Sequence, residues 1–219
     1  MKSKVTINER GALTIPAKMR ETFGIKPNDE LIIEDTEQGL LLRPAFSVPV
    51  ELYTEDRIRE FGSDEDVIGK LIPPGKWPRG FVMIRVFLDG NVLFSASNDG
   101  SNIARLVHRL IEKEEVITSD FAAEEARRNV QLKRQPWAMD LEALIGQVQV
   151  VPSIQFDLPV ELSAKDRPIL CTAIRSGCQY LATGDRKDFG HLYDHIVEDV
   201  TIITLAKLAE VVVQKPRSQ

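Results

Sequence analysis

RVFLDGN, residues 85–91, decides the fold. Ile84, Val86, Phe87 and Leu88 make an apolar run with no alternation, the pattern of a strand buried on both faces. The run breaks at Asp89, and Gly90-Asn91 opens a new segment. In an open α/β sheet ligands bind at the carboxyl ends of the strands, so an acid placed there faces a crevice. Downstream, residues 101–112 carry Ile103, Leu106, Val107, Leu110 and Ile111 at helical spacing. Strands are expected at 116–118, 147–151, 179–182 and 200–203. Helices are expected from Ser119 through Val130, at 137–145, at 163–176 and around 206–213. Strands and helices in alternation make a parallel sheet covered by helices on both faces, an α/β fold.

Three later acids take positions matching Asp89. Glu125 lies one or two turns into the helix that Ser119 caps, with Glu124 as its rival. Asp166 opens a helix just before Pro168, and Asp185 follows Leu181-Ala182-Thr183-Gly184 at a strand end. Any one of them reads more simply as a cap or a solvated acid, and Asp166 would favour a helix N-terminus on electrostatic grounds alone. All four on one edge of one sheet is a different matter. Converging carboxylates repel one another, and their pKa values rise unless a cation lies between them. Oxygen-only donors select Mg²⁺ or Mn²⁺. Asp89, Glu125, Asp166 and Asp185 are therefore the candidate catalytic and metal-binding residues. Asn91 and Ser119 are placed to orient ligands or phosphate, and Thr183 to fix Asp185.

Composition narrows the class. The 219 residues are 43% hydrophobic and 28% charged with a net charge of −5, ordinary for a globular protein. No global basicity announces nucleic-acid binding, so any such binding rests on local patches. No apolar run nears the roughly 20 residues that cross a bilayer, and no apolar signal segment follows Met1; a cytoplasmic protein without membrane contact is expected. Cys171 and Cys178 lie about 10 Å apart along a helix, too far for a disulfide, and with three scattered histidines they make no zinc site.

Residues 1–47 read differently. KVTIN (4–8) and ALTI (12–15) alternate as short strands around a turn at Glu9-Arg10-Gly11. Pro16 starts a short helix that Gly24 stops, and two further strands follow at 30–33 and 40–43. A β-rich unit below about 50 residues buries too little core to stand alone, so dimerisation is expected. Basic residues (Lys4, Arg10, Lys18, Arg20) gather in its first half and acids in its second. The polarised charge would turn two basic faces of a dimer toward DNA phosphates.

Between the two, residues 48–82 are punctuated by prolines. Thr54 caps an expected helix over 54–61, the acidic stretch 63–66 reads as a loop, and PPGKWPRG (73–80) as extended chain. Exposed-looking Phe61 and Trp77 read as anchors of an arm that docks on the second domain. Lys76 and Arg79, with Arg79 favoured, are the expected cations for its acid cluster.

ERGALTIPAKMRETFGIKPNDELIIE resembles the AbrB/MazE/SpoVT swapped-hairpin domain through Gly11, Thr14, Ile15, Pro16, Arg20, Gly24, Ile25 and Asp29. The resemblance implies a dimeric DNA-binding antitoxin unit over residues 1–47. ELYTEDRIREF resembles the toxin-binding tail of VapB-type antitoxins, which implies that residues 48–82 carry a basic residue into an acidic pocket. FLDGNVLFSA, ITSDFAAEEARRNV and SAKDRPILCTAIRSGCQYLATGD together resemble the PIN domain of VapC-type ribonucleases over residues 83–219. That resemblance aligns Asp89, Glu125, Asp166 and Asp185 with the family acids, adds Asp188 as a supporting residue, and implies that the strands ending in Asp89 and Asp185 are neighbours. Gly90 departs from the family, where Thr or Ser is common.

The expected protein is a VapBC-type toxin–antitoxin pair fused in one chain: a PIN-like parallel sheet preceded by a small swapped-hairpin dimerisation domain. It would be a Mg²⁺/Mn²⁺-dependent endoribonuclease held in check by its own first half, which also binds operator DNA as a homodimer or a dimer of dimers. Tethering puts the arm at an effective concentration around millimolar, with release expected by cleavage near residues 63–66. The alternatives are a DNA-binding repressor with a catalytically silent PIN domain and a DNA-repair or flap nuclease.

Overall fold

The computed structural model describes residues 2–23, 25, 27, 29–36, 39–44, 50–73 and 83–214. The first elements are a helix α1 (Ala17–Phe23) and an antiparallel hairpin, β1 (Leu31–Thr36) with β2 (Gly39–Pro44), registered from Leu31↔Pro44 to Thr36↔Gly39. Pro16 stands immediately before α1, and Gly11 holds φ +78° in a turn where Asn8 Oδ1 accepts from the N–H groups of Arg10 and Ala12. The expected strands at 4–8 and 12–15 are not formed. Both are extended chain without ladder partners, because β1 and β2 pair only with each other and offer no third strand within the chain. This unit leaves Ile7, Leu13, Phe23, Ile33 and Leu40 exposed.

Two short helices follow, α2 (Glu55–Phe61) and α3 (Glu65–Leu71). The Thr54 hydroxyl caps α2 by accepting from Arg57 N–H at 3.3 Å, as the sequence leads one to expect. The acidic stretch 63–66 is not a loop. Residues 62–64 make the tight turn between α2 and α3, and Glu65 and Asp66 open α3; Asp64 is buried and accepts from Arg186 Nη2 (3.0 Å) and Ala206 N–H (2.8 Å).

The remaining chain builds a six-stranded sheet. β3 (Arg85–Leu88) leads through α4 (Gly90–Ala96) and α5 (Asn102–Lys113) to β4 (Glu115–Ser119). From there α6 (Asp120–Lys133), α7 (Ala138–Ile145) and β5 (Gln149–Val151) follow. After a long excursion come α8 (Arg167–Arg175), β6 (Tyr180–Ala182), α9 (Arg186–Phe189), β7 (Ile196–Val197), β8 (Val200–Ile203) and α10 (Leu205–Gln214). The strand order is β5-β4-β3-β6-β8-β7, parallel except for the β7–β8 hairpin at the edge. β3 therefore sits centrally, and the strands preceding Asp89 and Asp185 are adjacent. Its apolar run packs on both faces: Val86 and Leu88 join α4, α5 and α10 on one side, while Phe87 joins Ile169, Leu170 and Leu181 on the other. Cys171 and Cys178 are free and buried, as expected. Among the described residues no helix is long and apolar enough to cross a membrane.

The first of these cores is not made by residues 83–214 alone. Tyr53, Phe61, Ile68 and Ile72 are all at most 2% exposed within it, so Phe61 is an anchor as expected. α3 packs on α5 and α10. Its Glu65 carboxylate caps α5, accepting from the N–H groups of Asn102 and Ile103. Ile68→Ala should accordingly cost about 2–5 kcal/mol, as for an aliphatic side chain lost from a packed core. The exposed neighbour Val67→Ala should stay within about 0.5 kcal/mol. Urea unfolding of the two variants checks the docking of α3, and equal midpoints would contradict it.

Candidate functional site

The site forms where β3 and β6 end. Asp89 follows β3 directly, and its carboxylate accepts from Gly90 N–H (2.6 Å), Asn91 Nδ2 (2.6 Å) and Thr183 Oγ1 (2.7 Å). Asn91 Oδ1 in turn accepts from Gly184 N–H at 2.8 Å, and Thr183 Oγ1 accepts from Asp185 N–H at 3.1 Å. Asn91 and Thr183 thus tie the two strand ends together and hold both aspartates in fixed positions. Glu125 comes from the second turn of α6. It is buried and Glu124 is exposed, which separates the rivals. Gly90 makes this approach possible: a Cβ there would lie 2.8 Å from the Ala122 carbonyl and 3.4 Å from Glu125 Oε1. Asp166 stands at the N-cap position of α8, but its carboxylate accepts from Ser163 Oγ rather than capping the helix. Ser119 is fully buried and spends its hydroxyl as the α6 cap, accepting from Ala122 N–H.

The four expected acids are thus together, each no more than 8% exposed. Burial first, and then the neighbouring carboxylates, push Asp89 up to about 7 and Glu125 to about 8. Burial also raises Asp166 to about 6, against the pull of Lys165. Asp185 behaves in the opposite way: burial raises it, but Arg57, the Asp188 N–H and Lys165 together outweigh burial and leave it below the ordinary carboxylate range.

Two cations lie among these acids, and sequence reasoning named neither. Arg57 projects from α2. It pairs through Nη2 with Asp185, through Nε with Glu51 (3.0 Å) and through Nη1 with Glu60 (2.8 Å). Its guanidinium lies 4.8 Å from the Phe61 ring centroid. Lys165 Nζ lies 2.5 Å from Glu51, 2.8 Å from Asp188, 3.3 Å from Asp166 and 3.5 Å from Asp185. Tyr53, also from the preceding segment, donates its hydroxyl to Glu125 Oε1 at 2.5 Å. Asn129 Oδ1 accepts from Tyr53 N–H at 2.7 Å. The expected cations Lys76 and Arg79, and Trp77 beside them, lie outside the described residues. In sequence, Arg57 is one charge on an amphipathic helix whose apolar side is Ile58 and Phe61, and Lys165 carries no signal beyond its place beside Asp166. Lys4, Arg10, Lys18 and Arg20 are all exposed on the N-terminal unit.

The donor set fits a hard divalent cation. Every donor is oxygen, oxygens of Asp166, Asp185 and Asp188 converge within 3.5 Å of one ammonium, and Glu51, Asp185 and Asp188 form a cluster with metal-ligand spacing. The positive charge these acids call for is supplied in the closed chain by Arg57 and Lys165.

The pKa directions set a pH dependence. Asp89, Glu125 and Asp166 bind protons more tightly in the folded chain than in the unfolded one. The stability this contributes is complete below the ordinary carboxylate range and is lost as pH rises through about 6 to 8. Asp185 and Glu51 are lowered, so their contribution is present above that range and is lost on acidification. Glu125→Gln removes one raised group. In EDTA its melting temperature should gain on that of the parent chain as pH climbs from about 6 to about 9. Melting curves that stay parallel across that range would contradict the assignment.

Residues 4–47 match the family described as antidote-toxin recognition MazE, bacterial antitoxin. No curated protein matches the chain. Among solved structures it is similar to VapBC2 from Rickettsia felis, a structure bound to a DNA fragment from its promoter. The identity is 14% and the TM-score 0.42, over 55% of this chain and 98% of that one. The chain thus combines an N-terminal stretch similar to the MazE antitoxin family with a mostly parallel α/β sheet that carries an acid cluster at its centre.

Proposed function

We propose that residues 83–219 are a Mg²⁺- or Mn²⁺-dependent endoribonuclease of the PIN type. Residues 48–82 restrain it, and residues 1–47 dimerise and bind operator DNA. The observation that carries this reading is the insertion of Arg57 between Asp185, Glu51 and Glu60 at the carboxyl end of the sheet. Asp89, Asp166 and Asp185, with Glu125, would hold the ion. When bound, it polarises a phosphodiester and lowers the pKa of a water. The chain's own residues do the positioning: Asn91 and Thr183 fix Asp89, Thr183 fixes Asp185, and Glu125, pushed up to about 8, is suited to hold a proton near neutral pH. Asp188 shares the Lys165 ammonium with Asp166 and Asp185. In the intact chain Arg57 and Lys165 compete with the ion for these carboxylates, and Tyr53 holds Glu125.

The exposed apolar residues of the N-terminal unit, Ile7, Leu13 and Leu40 among them, favour a homodimer. The resemblance of residues 1–47 to the AbrB/MazE/SpoVT domain supports, as part of this proposal, a dimer of dimers on the operator. Exposed Lys4, Arg10, Lys18 and Arg20 are the proposed phosphate contacts. The ion pairs that close the acid cluster also favour a second reading, a DNA-binding repressor whose sheet domain is catalytically silent.

Arg57→Ala should raise Mn²⁺-dependent cleavage of single-stranded RNA by about tenfold or more, the loss of at least ~1.4 kcal/mol of restraint. Asp89→Asn added to that variant should return cleavage to background. Cleavage unchanged by either substitution would leave the repressor reading. Arg10→Ala should weaken binding to DNA from the protein's own promoter region and reduce the salt slope by about 1. A gel-shift titration at several salt concentrations measures both.

A further inference from the structure

Beside the acid cluster, a cleft of about 740 Å³ opens on the side that the preceding segment leaves uncovered. Arg167, Lys187 and His191 line it together with the carboxylates of Glu161 and Asp188, and Leu158, Val160 and Leu162 give it an apolar wall. Arg167 directly follows Asp166, and Arg186-Lys187 directly follow Asp185, so each acid is flanked by positive charge in the chain itself. Neither Arg167 nor Lys187 has a side-chain hydrogen bond or ion pair among the described residues. The cations nearer the acids do have partners, and every one is a carboxylate. Lys165 is held by Glu51 at 2.5 Å, along with the cluster acids. Arg186 is held by Asp64 at 3.0 Å. Glu51 and Asp64 both belong to the segment that precedes the sheet.

Resting on the nuclease reading, we propose that Lys165, Arg186, Arg167 and Lys187 form a track for the phosphates of single-stranded RNA leading into the acid cluster. In the closed chain Glu51 and Asp64 take the phosphate places on Lys165 and Arg186. The segment therefore blocks the site with both signs of charge: Arg57 answers the acids and its carboxylates answer the cations. Arg167 and Lys187, which have no side-chain partner among the described residues, mark where the strand continues past the segment. A sugar–phosphate chain fits this arrangement because it brings repeated negative charge past the acids, while its bases have the apolar wall to lie against.

The test reads binding rather than cleavage. It uses the full chain in EDTA and a fluorescent single-stranded RNA with a 2′-O-methyl backbone, titrated at several salt concentrations. Arg57→Ala should bind it about tenfold more tightly than the parent chain. Glu51→Gln, which takes the segment's carboxylate off Lys165 while leaving Arg57 on Asp185 and Glu60, should shift affinity in the same direction. In the Arg57→Ala background, Arg167→Ala and Lys187→Ala should each weaken binding about threefold or more and flatten the log–log salt slope by about 0.7, the value for one phosphate on a single strand. Arg127→Ala, which removes an α6 arginine paired with Glu142 of α7, should change neither. If Arg167→Ala and Lys187→Ala behave like Arg127→Ala, the track is wrong. Polyglutamate displacing the RNA at equal charge would also overturn it, by assigning the cleft to an acidic peptide. The nuclease reading fails separately, if these variants bind RNA as described but Arg57→Ala with Mn²⁺ cleaves none.

Discussion

Four carboxyl groups buried at the meeting point of two parallel strands are the constraint on which this structure turns. Isolated charges of one sign in a low-dielectric site are costly, and such groups either take up protons or acquire a counter-charge. Here both happen. Asp89 and Glu125 are pushed toward or above neutrality, while Asp185 stays ionised because Arg57 lies against it. The position of α2 follows from that need. Arg57 reaches Asp185 only if α2 lies across the sheet edge, and α2 lies there because Tyr53 and Phe61 are buried on either side of Arg57. Breaking one partner out of such a pair is more damaging than the pair is stabilising, so the acids and the segment hold each other in place.

The sheet was readable because its signals are local and repeated. The apolar run before Asp89, the helical spacing of Ile103 to Ile111 and the Ser119 cap each point to one element, and together they allow only a parallel sheet. The acids were readable because each sits where a strand ends or a helix begins. The N-terminal strands at 4–8 and 12–15 were misread for a related reason: alternation records a half-buried face, not which chain supplies the pairing. The cations were not readable. Arg57 looks like any charged residue on a surface helix, and nothing within its own neighbourhood shows that Asp185, 128 positions away, needs it. Lys76 and Arg79 lie outside the described residues, so the cation seen among the acids comes instead from the helix whose amphipathic face Ile58 and Phe61 mark.

The division of the chain into parts is less sharp in space than in sequence. A Pro-punctuated stretch between two patterned regions looks like a connector, yet α2 and α3 contribute Tyr53, Phe61, Ile68 and Ile72 to the same core as Val86 and Leu88. Glu65 caps α5, and Ile72 offers its carbonyl to Arg105. The segment is therefore part of the sheet domain's packing as well as a cover for its acids, and lifting it away would expose apolar surface along with the site.

The order of these pieces along the chain also matters during synthesis. A ribosome releases α2 and α3 before any strand of the six-stranded sheet, and chains fold from the N-terminus as they emerge. The last residues of the acid cluster, Asp185 and Asp188, appear when Arg57 has been outside for more than a hundred residues. The acid cluster can therefore assemble only around a cation that is already present. Had the same helices followed the sheet, each newly made chain would pass through an interval with its acids complete and uncovered.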